Sequence, residues 1–225
     1  MAADGHDHRG VLFDVDGTLI DNDYVHVVAW WQAFRERGYD VRMSDIHTAV
    51  GKGSAQLVED VGGRHDSSVS AAHSRYYAPY LGQVRPFPRA AELLRRTAEA
   101  GLAVVLASSV KSDEVDELLE TLGARDVVTT VASSGDVERT KPQPDPLQVA
   151  MGKGGLDLAG TVMVGDTIWD VEASRRAGVP CVAVRTGGWS DARLRSAGAV
   201  DIYDDTAALL NAFDTSPLGK LARDD

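Results

Sequence analysis

The sequence predicts an α/β protein: a doubly wound parallel sheet with a small all-helical domain inserted in it. Three observations predict this. Four short apolar runs rich in Val and Leu, "GVLFDV", "LAVVLASS", "TVMVGD" and "PCVAVRTGG", are continuous rather than alternating, as strands covered on both faces are. Segments with helical spacing stand between them, and strand–helix alternation of this kind closes as a parallel sheet. Between residues 22 and 86 the alternation breaks, and helical patterns follow one another with no strand pattern.

Taken in order, residues 1–9, "MAADGHDHR", are a polar N-terminus with no apolar signal region, and read as a disordered tail. His6 and His8 belong to that tail rather than to a metal site. The core then comprises residues 10–21 and 87–225, and the helical cap residues 22–86. The first strand ends at Asp14–Val15–Asp16. In the cap, "DYVHVVAWWQAFRERG" places Val27, Trp30, Trp31 and Phe34 on one face, and the tryptophans read as cap core. "SDIHTAV", "SAQLVEDVG" and "SVSAAHSRYYAPYLG" supply further helices. Hinges fall at Asn22–Asp23 and Gln83–Pro88.

Back in the core, "FPRAAELLRRTAEAG" opens with Pro88 near its first turn. The next strand ends at Ser108–Ser109. "SDEVDELLETLG" has Ser112 as N-cap, Val115, Leu118, Leu119 and Leu122 on one face, and Gly123 as its stop. A third strand ends at Asp166. "IWDVEASRRAG" follows, with Arg175 and Arg176 in its last turn and Gly178 after it. The fourth strand runs into Gly187, Gly188 and Trp189, a loop near the edge of the sheet to which no role is assigned.

Composition limits the partners. The 225 residues include 23 Lys+Arg and 34 Asp+Glu, a net charge of −11. Such a surface repels nucleic acid and anionic membranes, and no basic stripe overrides it. A small anionic substrate remains compatible, because a local metal or lysine can reverse the field. No stretch is long and apolar enough to span a membrane. The single cysteine, Cys181, lies in the apolar run "VPCVAV" and reads as a small buried hydrophobe. With no intrachain disulfide possible, a reducing cytoplasmic setting is expected.

Ligands of open parallel sheets bind at the C-terminal ends of the strands. Asp14 and Asp16, Ser108 and Ser109, a loop carrying Lys141, and Asp166 with Asp170 would therefore converge on one crevice. Carboxylates so close together cannot all ionise cheaply without a cation among them. Oxygen-only ligands suit a hard cation, and Mg2+ is the natural choice where a phosphate completes the site.

Four segments in order, "DVDGTL", "LASS", "KPQPDP" and "GDTIWD", resemble the four motifs of the haloacid dehalogenase-like superfamily of hydrolases. The likeness is to its phosphoglycolate phosphatase-like and beta-phosphoglucomutase-like branch with a helical cap, and covers nearly the whole chain after the tail. The resemblance implies a role for each residue. Asp14 would be the nucleophile, forming an aspartyl-phosphate. Asp16, two residues on and expected on the same side of the strand, would protonate the leaving oxygen and later activate water. Ser108 would bond the transferring phosphoryl group and Lys141 would balance its charge. Asp14, the Asp16 carbonyl, Asp166 and Asp170 would hold Mg2+. Gly17, Ser109 and Lys52 would lie against the substrate.

Plainer readings stand beside these. Asp14 and Asp16 could form a solvated turn, Ser108 could cap a helix, Lys141 could be a surface lysine, and Asp170 an ordinary first-turn acid. Lys52, in "GKGS", is as well read as a solvated loop lysine. Neither "GKGS" nor "GKGG" (Gly152–Gly155) has the flanking glycine and Ser/Thr of a phosphate-cradling Walker loop.

The expected function is a Mg2+-dependent phosphatase acting on a small phosphorylated metabolite, as a monomer or homodimer. A sugar phosphate mutase uses the same motifs and stays open. Dehalogenases of the superfamily lack the second aspartate and need no metal. Phospho-receiver domains pair similar residues around Mg2+ but are about half as long and uncapped. A catalytically dead binding module is disfavoured, because every chemical position is filled.

Overall fold

The computed structural model describes residues 8–108, 115–133, 136 and 139–223. Two short strands flank the inserted segment: after β1 (Gly10–Phe13) come β2 (Ile20–Asp21) and, beyond the insertion, β3 (Arg85–Pro86). The core continues with β4 (Ala103–Ala107), β5 (Thr130–Ala132), β6 (Thr161–Gly165), β7 (Cys181–Val184) and β8 (Asp201–Tyr203). Six of these form a parallel sheet in the order β5-β4-β1-β6-β7-β8.

Each central strand feeds two cores, because successive side chains point to opposite faces. Val11 and Phe13 of β1 join Val104, Leu106, Val162 and Val164 on one face. Leu12 joins Val105, Met163 and Cys181 on the other. This is why the strands read as unbroken apolar runs. Burying a side chain such as Phe13 contributes about 1.5–3 kcal/mol.

Helices α1 (Asp23–Glu36), α2 (Met43–Ala49), α3 (Ser54–Gly62) and α4 (Ser67–Tyr77) make the insertion. They bury a core of their own around Val27, Trp30, Phe34, Ile46, Leu57 and Val69. Trp30 lies in it and stacks on His73 with ring centroids 3.9 Å apart. Trp31 is only partly buried, under the guanidinium of Arg35.

The remaining helices cover the sheet: α5 (Ala90–Glu99), α6 (Val115–Leu122), α7 (Asp145–Gly154), α8 (Ile168–Ala177), α9 (Asp191–Ala197), α10 (Thr206–Asn211) and α11 (Pro217–Arg223). Leu118, Leu119 and Leu122 of α6 are buried, as their spacing predicts. Ser112, its expected N-cap, lies outside the described residues.

Four strands differ from the sequence reading. The edge strands β5 and β8 have three residues each, too few to show a period. β2 and β3 have two each and pair antiparallel, so a ribbon ties together the two chain crossings between core and cap. β3 lies within the segment expected to hold no strand. His8 and Arg9, placed by the sequence reading in the tail, are bonded to the core: Asp157 N–H donates to the His8 carbonyl (2.9 Å) and Arg9 donates to the Leu221 carbonyl (2.8 Å). Residues 1–7, with His6, lie outside the described set.

Candidate active site

Register places the site. Phe13 is opposite Leu106 on one side and Val164 on the other. Asp14 is therefore level with Ala107 and Gly165, and Ser108 and Asp166 follow one residue further on, at the same end of the sheet. The Asp14 N–H donates to the Val164 carbonyl (2.9 Å), carrying the ladder one step past β1. Connections leave the sheet in opposite directions from its centre, so this is the topological switch point where a crevice opens.

Asp14 and Lys141 are both largely buried, Lys141 at 9% exposure, and their side chains are in contact. Lys141 Nζ also lies 2.7 Å from Asp170 Oδ1. Burial opposes the lysine's charge, but Asp14 and Asp170 outweigh it and hold the ammonium above its ordinary range. Burial raises Asp14 to about 8, with Lys141 pulling the other way and Asp170 and Asp16 adding to the rise. Lys141 thus places one positive charge between two acidic side chains.

Asp166 is fully buried and is also pushed well up, by burial first and then by Asp23, Asp170 and Asp14. The Thr18 hydroxyl donates to Asp166 Oδ1 (2.7 Å) and approaches Asp14 Oδ2 (3.4 Å). Asp170 has two tasks. Its Oδ2 accepts from the Thr167 N–H (3.0 Å) while Thr167 Oγ1 accepts from the Asp170 N–H (3.2 Å), a capping box that starts α8. Its other oxygen faces Lys141.

Oxygens of Asp14, Asp166 and Asp170 all lie within 4.8 Å of one another. Asp166 Oδ2 is buried with no hydrogen-bond partner. A buried, unpaired carboxylate oxygen beside two further carboxylates and one ammonium is the donor set a hard divalent cation fits. Room for it depends on two glycines. A Cβ on Gly17, at φ +75°, would stand 2.4 Å from Asp166 Oδ2, and one on Gly187 would stand 2.2 Å from it.

Asp16 lies beyond the end of β1, close enough to Asp14 to help raise its pKa. β1 ends at Phe13, and residues 15–20 turn, with the Val15 carbonyl accepting from Leu19 and Ile20. The strand period no longer applies there. The Asp16 carboxylate is not among the three closest acids and is held from the cap side: Asn22 Nδ2 donates to it (2.6 Å) and His26 Nε2 lies 3.7 Å away. Asn22 also accepts from the Gly17 N–H and bonds Tyr77.

The cap lies over these loops. Trp169, between Asp166 and Asp170, donates its indole N–H to the Thr48 carbonyl (3.0 Å). His47 Nε2 is 3.1 Å from the Gly187 carbonyl. Lys52 stands 3.8 Å above the Trp169 ring and 2.5 Å from Asp60 Oδ2. Its charge is thus engaged by cap and core rather than left solvated. Ser108 follows β4 and its N–H donates to the Ala132 carbonyl (3.0 Å). Ser109 lies outside the described residues. In "GKGG", Lys153 pairs with Asp136 (2.7 Å), and Cys181 is buried.

Sequence reading missed Thr18, Asp23, His47, Trp169 and Gly187. Thr18 was within reach, inside the "DVDGTL" segment. Trp169 was equally within reach, inside "GDTIWD", and Gly187 was noted without a role; Asp23 and His47 come from the cap and carry no local signal.

Residues 11–184 match the family model described as haloacid dehalogenase-like hydrolase. A phosphoglycolate phosphatase from Yersinia pseudotuberculosis is 32% identical over 189 residues, 80% of this chain and 82% of that protein. The chain belongs to the haloacid dehalogenase-like hydrolases. Within the superfamily it falls in the phosphoglycolate phosphatase-like branch. A hydrolase from Pseudomonas syringae superposes with a TM-score of 0.85 at 29% identity, covering 92% of this chain and 98% of that one. A beta-phosphoglucomutase from Clostridium difficile shares the fold at a TM-score of 0.80 and 18% identity, covering 96% and 97%. The haloacid dehalogenase-like fold thus extends through the inserted helices. Among the described residues no helix is long and apolar enough to cross a membrane.

Proposed function

We propose that the protein is a Mg2+-dependent phosphatase that hydrolyses a small-molecule phosphomonoester through an aspartyl-phosphate on Asp14. The observation that carries this reading is the setting of Asp14. It is buried between the Lys141 ammonium and the Thr18 hydroxyl, within the acidic cluster, while Asp16 is held from the cap side by Asn22. One carboxylate is equipped to attack and the other to handle a proton.

Asp14, Asp166, Asp170 and the Asp16 carbonyl would hold the ion. Bound there, Mg2+ would neutralise phosphoryl oxygens and keep Asp14 ionised. Lys141 supplies a fixed positive charge beside the attacking oxygen, where negative charge gathers in the transition state. Asp14 attacks phosphorus and the ester oxygen leaves with the proton carried by Asp16. Asp16, now a carboxylate, takes a proton from the water that cleaves the acyl phosphate and regenerates Asp14. Asn22 and His26 fix Asp16 for both transfers. The cap, latched at Thr48 and Gly187, excludes bulk water during the first.

The test is phosphate release from a panel of small phosphomonoesters, phosphoglycolate among them, with Mg2+ and with chelator. Turnover that needs Mg2+ and disappears in Asp14→Asn supports the reading. Transfer of the phosphoryl group within a sugar phosphate, with no phosphate released, would make the protein a mutase instead.

A further inference from the structure

We infer that Asp23 is a fourth carboxylate of the divalent-cation site, supplied by the cap, so that cation binding and closure of the cap are linked. The inference rests on the cation site proposed above.

Asp23 is the first residue of α1. An acid there has an ordinary reason to exist, since the N-terminal end of a helix favours negative charge. Such an acid is normally solvated, but Asp23 is 4% exposed. It does not serve as a cap, and its Oδ1 has no hydrogen-bond partner. Among the described residues, no Lys or Arg is paired with it. Burying an uncompensated carboxylate is costly, and the group that repays it is to be sought at the site it faces.

That site is Asp166. The point a Gly17 Cβ would occupy lies 2.4 Å from Asp166 Oδ2 and 2.5 and 2.6 Å from the two oxygens of Asp23. Asp166 Oδ2 is itself buried with no N–H or hydroxyl donor, its close polar neighbour there being the carboxyl of Asp23. Two orphaned carboxylate oxygens, one from the core and one from the cap, thus meet over a backbone position where no side chain fits. The nearest imidazoles lower Asp23 only from a distance and are bonded elsewhere: His26 to Asn22 and His73, and His47 to the Gly187 carbonyl. A cation in the acidic cluster, with its bound water, gives both oxygens a partner at once. Because α1 belongs to the cap, Asp23 reaches this place only when the cap lies as it does here. A ligand that favours that arrangement is in turn bound more tightly by it.

Mg2+ is titrated calorimetrically into wild type and Asp23→Asn, and both are unfolded thermally in chelator and in Mg2+. The inference expects a dissociation constant raised about 10- to 100-fold in the variant, the range seen when groups around a metal are removed. It also expects the variant to melt higher than wild type in chelator, because a like charge beside Asp166 is gone, and to gain less from Mg2+. A purely structural Asp23 would lower the melting temperature in both conditions and leave the affinity intact. A constant within twofold of wild type overturns the inference. Absence of Mg2+ binding by wild type overturns the cation site as well, which separates the two failures. Should the variant not fold, amide exchange of wild type decides: Mg2+ must slow exchange at the start of α1, and an unchanged rate there overturns the inference.

Discussion

Asp170 holds Lys141 with one carboxylate oxygen, 2.7 Å from Nζ, and starts helix α8 with the other. A single side chain thus joins the charge that faces the nucleophile to the helix that carries the metal-site loop. Lys141→Met should therefore do two kinds of damage. Turnover should fall at least about 100-fold, as loss of a transition-state charge contact does. Stability should fall by about 3–5 kcal/mol, because Asp14 and Asp170 are left buried without their cation. Adding Asp170→Asn should restore part of the stability and none of the activity. Urea unfolding and phosphate release measure both; additive losses in the double variant would contradict the coupling.

Thr18 orients Asp166 by donating to its Oδ1. Thr18→Val keeps the shape and removes the donor. Mg2+ affinity should drop about 10-fold or more, read by calorimetry, while circular dichroism stays native. Unchanged affinity would mean that Asp166 is held by packing alone.

Without metal, stability should fall as pH rises. Asp14 and Asp23 have ordinary values of 3.8 and are raised in the folded protein to about 8 and about 6, burial being the first cause for each. The native state keeps protons that the unfolded chain has lost. That stabilisation is complete below the ordinary value and is lost as pH climbs through 6 and then 8. In chelator, the melting temperature should fall from pH 5 to pH 8, about, and Asp14→Asn should flatten the fall. Mg2+ should raise the melting temperature more at the upper end, since binding displaces those protons. Calorimetric scans that rise with pH in chelator would contradict this.

Trp169 latches the cap through its N–H bond to the Thr48 carbonyl and its ring beneath Lys52. Trp169→Phe keeps a ring and loses the bond, a cost of about 0.5–1.5 kcal/mol to the closed state. KM should rise severalfold, and Mg2+ affinity should fall in step, because closure of the cap and cation binding are linked. Trp169→Ala should raise KM further. Steady-state kinetics that show kcat alone changed would place Trp169 in the chemistry rather than in the latch.

Much of this was legible in the sequence. The central strands show because both faces are buried, and Asp14 and Asp166 show because each follows such a run. Helix α8 declares itself through Arg175 and Arg176 in its last turn and Gly178 after it, while its capping box of Thr167 and Asp170 emerges only in the structure. Edge strands β5 and β8 do not show, since three residues carry no period. The hold on Asp16 by Asn22 and His26 does not show, because it comes from the cap after Gly17 has turned the chain. Asp23 was read only as a hinge residue. Its meaning arises from Asp166, far along the chain, and from the cap's position over Gly17, which no local pattern encodes. Lys52 was left between two readings, and its place on Trp169 depends on the same closure.

The central claim is that Asp14 carries the phosphoryl group during turnover. Its most direct test is an acid quench of the enzyme turning over a radiolabelled phosphomonoester with Mg2+, followed by mapping of any label on the protein. The account predicts a hydroxylamine-labile phosphoryl group on the peptide containing Asp14, absent in chelator and in Asp14→Asn. Label on another residue, or undiminished turnover by Asp14→Asn, would contradict it.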